Sequence, residues 1–443
     1  MTIAATTEPP APPAPPAPMS AAQRLRFLIY GGVLMTLVQF AVPYEGLIGL
    51  PVVFFLKNKL HLSANGVATF NLIASIPLFV GFGFGFLRDT WSPFGRGDRA
   101  HLLVFGLATA AAYGAMVLFK PTYMVLLLGV VGATVTIQMV WSAGRGATSA
   151  IGQEEAMTGQ VSVIGNLAFA VPSLAAYFLG GALSGYLESR DAVAAARTLF
   201  AVGGGLMLLV ALMGALGPRR LLDVHHAKTR EHSVAADILR LLRHRPLYPI
   251  MAIQLMWQFG PAVGVVMPFH LANDLHATDA QVGAWFGIFF GSFAPVYVVY
   301  AWLCRRVRLN TLLWIGTVLA VAQMTPMLFA RTPQEALIAA AVMGAIGGLG
   351  QAAYTDLAIR ACPPGLQGTM IMMFIAMYYV SLRFGDLFGA YLFDKQGGFH
   401  TALYASMGVY ALILPMLLLL PRSLTNTLDG EVAPAPVAGV NPA

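Results

Sequence analysis

Three ionisable side chains fall deep inside long apolar runs. Glu45 lies between Pro43 and Pro51, and Arg383 and Asp386 share the run 369–393. A charge in hydrocarbon costs at least about 2.5–3.5 kcal/mol, so such groups pair with one another or line a cavity. Arg383 and Asp386, at i,i+3, lie on one helical face and can satisfy each other. Glu45 has no cation at i±3 or i±4. Two chemistries fit these residues. In one, Arg383 holds an anionic group of a solute while Glu45 or Asp386 takes up and releases a proton. In the other, Arg383 and Asp386 are a structural pair.

Polar and aromatic residues recur at helical spacing in three further runs: Gln138, Trp141 and Arg145; Gln254, Trp257 and Gln258 beside Gly260 and Pro261; and Gln351 and Tyr354. Aromatic faces with adjacent amides suit a planar or ring-shaped solute, and helix-to-helix hydrogen bonding is the alternative for each glutamine. Asp356 and Arg360, at i,i+4 near the end of their run, read as a gate or a structural pair. His61, His270 and His276 fall at the ends of runs and read as interfacial residues, so no metal site is expected. Gly348-Leu349-Gly350-Gln351-Ala352-Ala353 spells part of a dinucleotide-binding pattern, but no strand precedes it. There is no P-loop, HExxH or GxSxG, so neither a cofactor nor an enzyme activity is expected.

The elements that would position these groups follow from composition. The chain is 58% hydrophobic and only 10% charged, with a mean hydropathy of +0.71, far from a soluble norm of roughly one quarter charged residues. A lipid bilayer must cover much of its surface. A span needs about 20 apolar residues, and twelve such runs are present, at 27–56, 65–87, 101–119, 122–144, 159–186, 196–217, 247–272, 280–303, 311–330, 335–360, 369–393 and 401–420. We number them spans 1 to 12. Lys and Arg concentrate in the tails and in the segments that share their side, including 218–246, which places both termini in the cytoplasm. The net charge of +7 follows from those basic loops, and no nucleic-acid partner is expected. The predicted organisation is a disordered Pro/Ala-rich tail (1–26), a six-helix bundle (27–217), a cytoplasmic connector with an amphipathic stretch (218–246), a second six-helix bundle (247–421) and a disordered tail (422–443). Residues 1–20 lack the basic start and apolar core of a secretory signal. Cys304 and Cys362 fall at predicted helix ends and read as small packing residues.

The two bundles resemble each other. Phe54-Phe55-Leu56-Lys57-Asn58-Lys59-Leu60-His61 and Phe269-His270-Leu271-Ala272-Asn273-Asp274-Leu275-His276 share Phe, Leu, Asn, Leu and His in register. Each follows an apolar run and precedes a Ser/Thr helix start, Ser63 or Thr278. Parallel six-span repeats are one way of building secondary transporters, with the substrate site between the halves.

After span 2 the chain reads Gly85-Phe86-Leu87-Arg88-Asp89-Thr90-Trp91-Ser92-Pro93-Phe94-Gly95-Arg96-Gly97-Asp98-Arg99. This resembles the loop 2–3 signature of the major facilitator superfamily, with Thr90 where Arg is usual and an inserted Ser-Pro stretch. Those departures, and the segment Asp356 to Thr369, look more like the folate–biopterin and sugar–cation symporter branches. The resemblance implies an all-α fold of twelve transmembrane helices in two six-helix bundles. It also implies a latch in which Asp89, beside Gly85 and held by Arg96 and Arg99, faces the N-terminal end of span 11. The rival reading is that these charges only set topology. The second half keeps Gly291 and Arg308 at the matching places but no acid, so a one-sided latch is expected. The implied activity is alternating-access transport of a small organic solute by a monomer in the inner or plasma membrane, with a proton as the coupling ion. A facilitator-fold sensor, or a pigment or assembly factor that transports nothing, is the alternative.

Overall fold

The structure, a computed structural model, describes residues 19–44, 46–62, 64–188, 190–222, 243, 245, 247–264, 266–363, 365–395 and 397–431. The regular structure of the described residues is helical, and the helices follow the apolar runs. Span 1 comprises Ala21–Phe40 and Gly46–Asn58, span 2 Ala64–Phe79 and Gly81–Thr90, span 3 Gly97–Leu118, span 4 Tyr123–Glu154, span 5 Thr158–Glu188 and span 6 Ala192–Leu216. Span 7 comprises Leu247–Gln258 and Val266–Phe269, extended by a wider turn His270–Asp274, and span 8 Asp279–Gly291 and Phe293–Leu303. Span 9 is Leu309–Ala322 with Thr325–Leu328, span 10 Pro333–Arg360, span 11 Gln367–Lys395 and span 12 Phe399–Ala411 with Ile413–Leu417. The protein is an all-α polytopic membrane protein of two six-helix bundles.

Ten of the spans contain a run long and apolar enough to cross a bilayer unaided. Spans 1 and 7 do not, because each is interrupted part-way, between Phe40 and Gly46 and between Gln258 and Val266. Pro43, and the pair Gly260-Pro261, account for the interruptions: proline lacks the N–H that continues the helix and clashes with the preceding turn. Broken backbone at membrane depth is tolerated only where protein or a cavity surrounds it.

The sequence repeat has a structural counterpart. His61 and His276 both adopt the left-handed conformation, at φ 54° and 55°. Each closes its helix the same way: Leu62 N–H donates to Leu56 O (3.1 Å) and Ala277 N–H to Leu271 O (2.8 Å). This six-residue closure satisfies carbonyls that the end of a helix leaves open. Thr278 then starts span 8 with a capping box to Gln281.

Within the first bundle, span 3 packs on spans 4 and 6 and span 1 on span 5; within the second, span 9 packs on spans 10 and 12. The halves meet where span 2 lies along span 11, span 5 against spans 8 and 10, and span 4 against span 11. Both tails leave at one end of the bundles, called here the tail face. Met19 N–H donates to Glu155 (2.9 Å), in the turn joining spans 4 and 5. The segment after span 12 reaches that same turn, where Gly430 N–H donates to Ala156 O. Residues 422–431 are thus docked, in contrast to the disordered tail expected from 422 onward. The composition signal comes from prolines that begin at Pro434, whereas Arg422–Thr425 forms one helical turn. The amphipathic connector stretch at 234–243 lies outside the described residues, apart from Arg243.

Candidate functional site

At the tail face the end of span 2 caps the start of span 11. Asp89 accepts from Gly368 N–H (3.1 Å), Thr369 N–H (2.6 Å) and the Thr369 hydroxyl (2.7 Å). The carboxylate satisfies donors that a helix start leaves open and meets its positive end. Gly85 permits this approach, since a Cβ there would lie 2.7 Å from Thr369 Cα. The partner that holds Asp89 is Arg88, which donates to it at 2.7 Å and to Asp98 through Nε at 2.7 Å. Arg88 is 2% exposed and lies against Gly146 of span 4. This corrects the assignment of Arg96 and Arg99. Arg96 is exposed, and Arg99 donates to the carbonyl of Gly217 (2.7 Å) at the end of span 6, far from Asp89. Sequence reasoning missed Arg88 because neither Asp89 nor Asp98 stands at a helical i,i+3 or i,i+4 spacing from it.

A second acid makes the same contact on the other side of the seam. Asp429, 6% exposed, accepts from Gly159 N–H (2.9 Å) and Gln160 Nε2 (3.0 Å), at the start of span 5. Its own N–H donates to Cys304 O (3.0 Å) at the end of span 8. An acid therefore caps a helix start on both sides of the seam, where the sequence led us to expect such a contact on one side alone. The acid missing after span 8 comes from the C-terminal segment. Arg360 anchors that segment, donating to Thr427 Oγ1 (2.8 Å), while pairing with Asp356 at 2.9 Å. Tyr300 donates to the same Asp356 at 2.9 Å. Between the two latches Gln153 bridges the halves, donating to Ile359 O (2.7 Å) and Cys362 O (2.8 Å) and accepting from Gln367 (3.0 Å).

Above this closed seam the halves meet around Arg145. Its guanidinium stacks 4.6 Å from the ring centroid of Trp141, one turn earlier on span 4. Tyr44 and Tyr379 lie close enough to interact with its charge, and they touch edge to face across the halves, with centroids 6.2 Å apart. Arg145 Nε is buried without a hydrogen-bond partner, and no carboxylate among the described residues pairs with the guanidinium. Gln138, two turns from Arg145 on the same face, is 1% exposed with neither amide atom bonded. On the tail side of Arg145, Thr148, Ser149, Thr355 and Ile371 bound a cavity of ≈ 50 Å³.

The second-half residues expected here are mostly engaged within their own bundle. Gln254 donates to Tyr354 O (2.9 Å), Trp257 Nε1 donates to Gln351, and Tyr354 shares a hydrogen bond with Thr317 (2.7 Å). Gln351 also reaches across to Asn166 of span 5 (3.5 Å). Gln258 is half-buried at the end of the first segment of span 7.

Residues 260–439 match the family model described as the Major Facilitator Superfamily. Over that stretch, which spans most of the second bundle, the chain is similar to the Major Facilitator Superfamily. Among solved structures of that superfamily, FucP in its outward conformation aligns with a TM-score of 0.66 at 16% identity, covering 89% of this chain and 99% of its own. The proton:xylose symporter XylE gives 0.67 at 12%, covering 92% and 98%. The human organic anion transporter MFSD10 gives 0.64 at 14%, covering 90% and 100%. At these identities the likeness is one of fold. No curated protein matches the chain by sequence.

The superfamily fold brings Arg145, Trp141, Tyr44 and Tyr379 to the interface of its halves, but it does not bring Arg383 there in the same way. Arg383 is 56% exposed, on the face of span 11 that also carries exposed Leu387 and Tyr391, and contacts Asp386 at 3.4 Å. Asp386 turns toward the break in span 7: a Cβ on Gly264 would collide with its Oδ1. Glu45 lies outside the described residues. Tyr44 and Tyr379 escaped the sequence reading because their importance comes from a contact between halves.

Proposed function

We propose that this protein carries a small organic solute across the membrane by alternating access, driven by a proton gradient. The observation that carries the reading is the arrangement along the interface of the halves. Polar contacts join them at the tail face, and a half-buried cation, Arg145, with no carboxylate partner among the described residues lies further along their junction. A structural protein has no use for an unpaired charge there, whereas a carrier needs an empty polar site and a seam that can part. The closed tail-face seam corresponds to the outward-facing stage, and parting of the Asp89 and Asp429 contacts gives the inward-facing one. The interruptions in spans 1 and 7 supply hinge points beside the site.

Asp386 against the span 7 break, and Glu45 within the span 1 interval, are the acids proposed to carry the coupling proton. The two bundles extend over 27–217 and 247–421, joined by the connector 218–246. Both tails and that connector face the cytoplasm, and the protein acts as a monomer in the cell membrane. Uptake into proteoliposomes, measured for organic anions, pterins and sugars with and without a pH step, tests the proposal. Solute-specific accumulation that rises with the step supports it. A protein that moves no member of such a panel, although correctly folded, removes it.

A further inference from the structure

We infer that the solute is an organic anion whose carboxylate or equivalent acidic group is bound by Arg145, with Gln138 taking a neutral polar group further along the same molecule. This rests on the transport reading above and deepens it. Arg145 carries a permanent charge inside the helix bundles: it lies nine residues before the end of span 4, a rise of about 14 Å from the tail face. The other arginines held within the bundles have partners: Arg99 donates to carbonyls at the end of span 6, and two more have counter-charges. Arg88 is paired with Asp89 and Asp98, and Arg360 with Asp356. Arg145 has the Trp141 face and the neighbouring tyrosines Tyr44 and Tyr379, which soften the cost of burying it but leave its fork of donors open. A guanidinium presents parallel N–H groups that match a carboxylate, so an anion is its natural complement.

Position adds to this. Arg145 lines a cavity of ≈ 50 Å³ together with Thr148, Ser149 and Thr355, and Tyr44 and Tyr379 lie close enough to interact with its charge, so the cation faces both open space and an aromatic pair where the halves meet. Gln138 is two turns away on the same helical face, about 10 Å along the axis. Its oxygen and nitrogen are both buried and unbonded, which in a native interior calls for a partner supplied from elsewhere. A solute reaching both groups carries its acid at one end, a hydrogen-bonding group at the other, and between them a flat body that fits beside Tyr44 and Tyr379. Arg383, first considered for this role from sequence, is exposed and already beside Asp386.

The test uses the full-length protein in detergent or nanodiscs and matched pairs of probes: benzoate, nicotinate, 4-aminobenzoate and aliphatic dicarboxylates against the corresponding carboxamides. Binding is read as a rise in Tm and by titration calorimetry. Carboxylates are expected to bind and their amides not to. Loss of one charge-assisted pair predicts a drop in affinity on the order of 100-fold for Arg145→Gln, and about tenfold for Arg145→Lys, which keeps the charge but not the fork. Gln138→Leu should weaken only carboxylates that carry a second polar group. Size-exclusion profiles confirm that each variant is folded, and Arg145→Lys keeps the test informative if Arg145→Gln is not. Carboxamides or neutral sugars binding as well as carboxylates, no member of the panel binding, or carboxylate affinity unchanged in a folded Arg145→Gln protein would each overturn the inference. Binding without uptake in proteoliposomes leaves it standing and instead removes the transport reading.

Discussion

Replacing Asp89 with Asn should part the tail-face seam. The Asp89 carboxylate accepts three hydrogen bonds from the start of span 11 and one from Arg88. Asparagine can keep its oxygen toward Thr369, but its NH₂ then faces Gly368 N–H and the Arg88 guanidinium, donor against donor. Two charge-assisted bonds are lost, each worth about 1.5–3 kcal/mol net. Arg88 belongs to span 2 with Asp89, so of the two only the Gly368 bond crosses the seam; with its N–H left facing a donor the upper end of that range applies, a loss of about 3 kcal/mol from the closed state, or roughly 100-fold in the ratio of closed to open.

The two cysteines of the chain report this directly. Cys304 and Cys362 are both buried at the seam, at 2% and 3% exposed, and burial pushes the Cys362 thiol up, further lowering its reactivity in the closed state. Modification by a maleimide-polyethylene glycol then follows the open population, as local-opening exchange does. The rate at Cys362, measured in a Cys304→Ser background, should rise on the order of 100-fold in Asp89→Asn. An unchanged rate would sink the latch and leave these charges with a topological role only.

Four further outcomes are expected. In a cysteine-free background, cysteines at Ala192 and Thr332 should react with an impermeant reagent from outside intact cells and one at Ser20 should not; the reverse pattern inverts the proposed orientation. Asp429→Ala removes the acceptor for Gly159 and Gln160 and should raise Cys304 modification about tenfold. Burial, and then the neighbouring Asp356 charge, raise the Asp429 carboxyl, so the closed seam holds its proton more tightly than the open one. Acidification toward the carboxylate range therefore favours closure through this group, and spin-label distances across the seam should lose that dependence in Asp429→Asn. Glu45→Gln should abolish proton-driven accumulation while sparing exchange of labelled for unlabelled solute, and full accumulation in that variant would pass the coupling role to Asp386.

The fold was legible because the bilayer imposes it. Apolar runs of span length cannot be hidden any other way, and the Leu-x-Asn-x-Leu-His repeat announced two helix ends that close with the same hydrogen bonds. The interruption of span 1 was foreshadowed by Pro43, but Pro51 lies inside a continuous helix. As the sixth residue of the segment Gly46–Asn58 it forfeits one helical N–H···O bond without ending the helix. The site was less legible. Spacing along one helix located Trp141 and Arg145, yet that Arg145 has no carboxylate partner among the described residues, and that Gln254 and Trp257 are occupied, depends on which neighbouring spans face them. Charge pairing was misassigned around Asp89 for the same reason. The loop 2–3 arginines are close in sequence, but Arg99 turns to the end of span 6, and the partner is the adjacent Arg88.

The two latches show how a repeat can keep a function while losing the residue that served it. In the first half, an acid at the end of span 2 caps the start of span 11 through the N–H groups of Gly368 and Thr369. The corresponding place in the second half, the end of span 8, holds Cys304, which cannot accept as a carboxylate does. The start of span 5 would then face the seam with open donors, at a cost of about 1–3 kcal/mol for each donor left buried and unsatisfied. The C-terminal segment meets that need: its backbone binds Cys304 O, and its Asp429 carboxylate reaches Gly159 and Gln160. Gly159 and Gly368 play the same part, since a Cβ on Gly159 would lie 2.8 Å from the Cys304 side chain and one on Gly368 would lie 2.6 Å from Asp89. The consequence is an asymmetry in construction: the first contact is made from the end of span 2, whereas the second is made from the segment after span 12, which Arg360 anchors through Thr427.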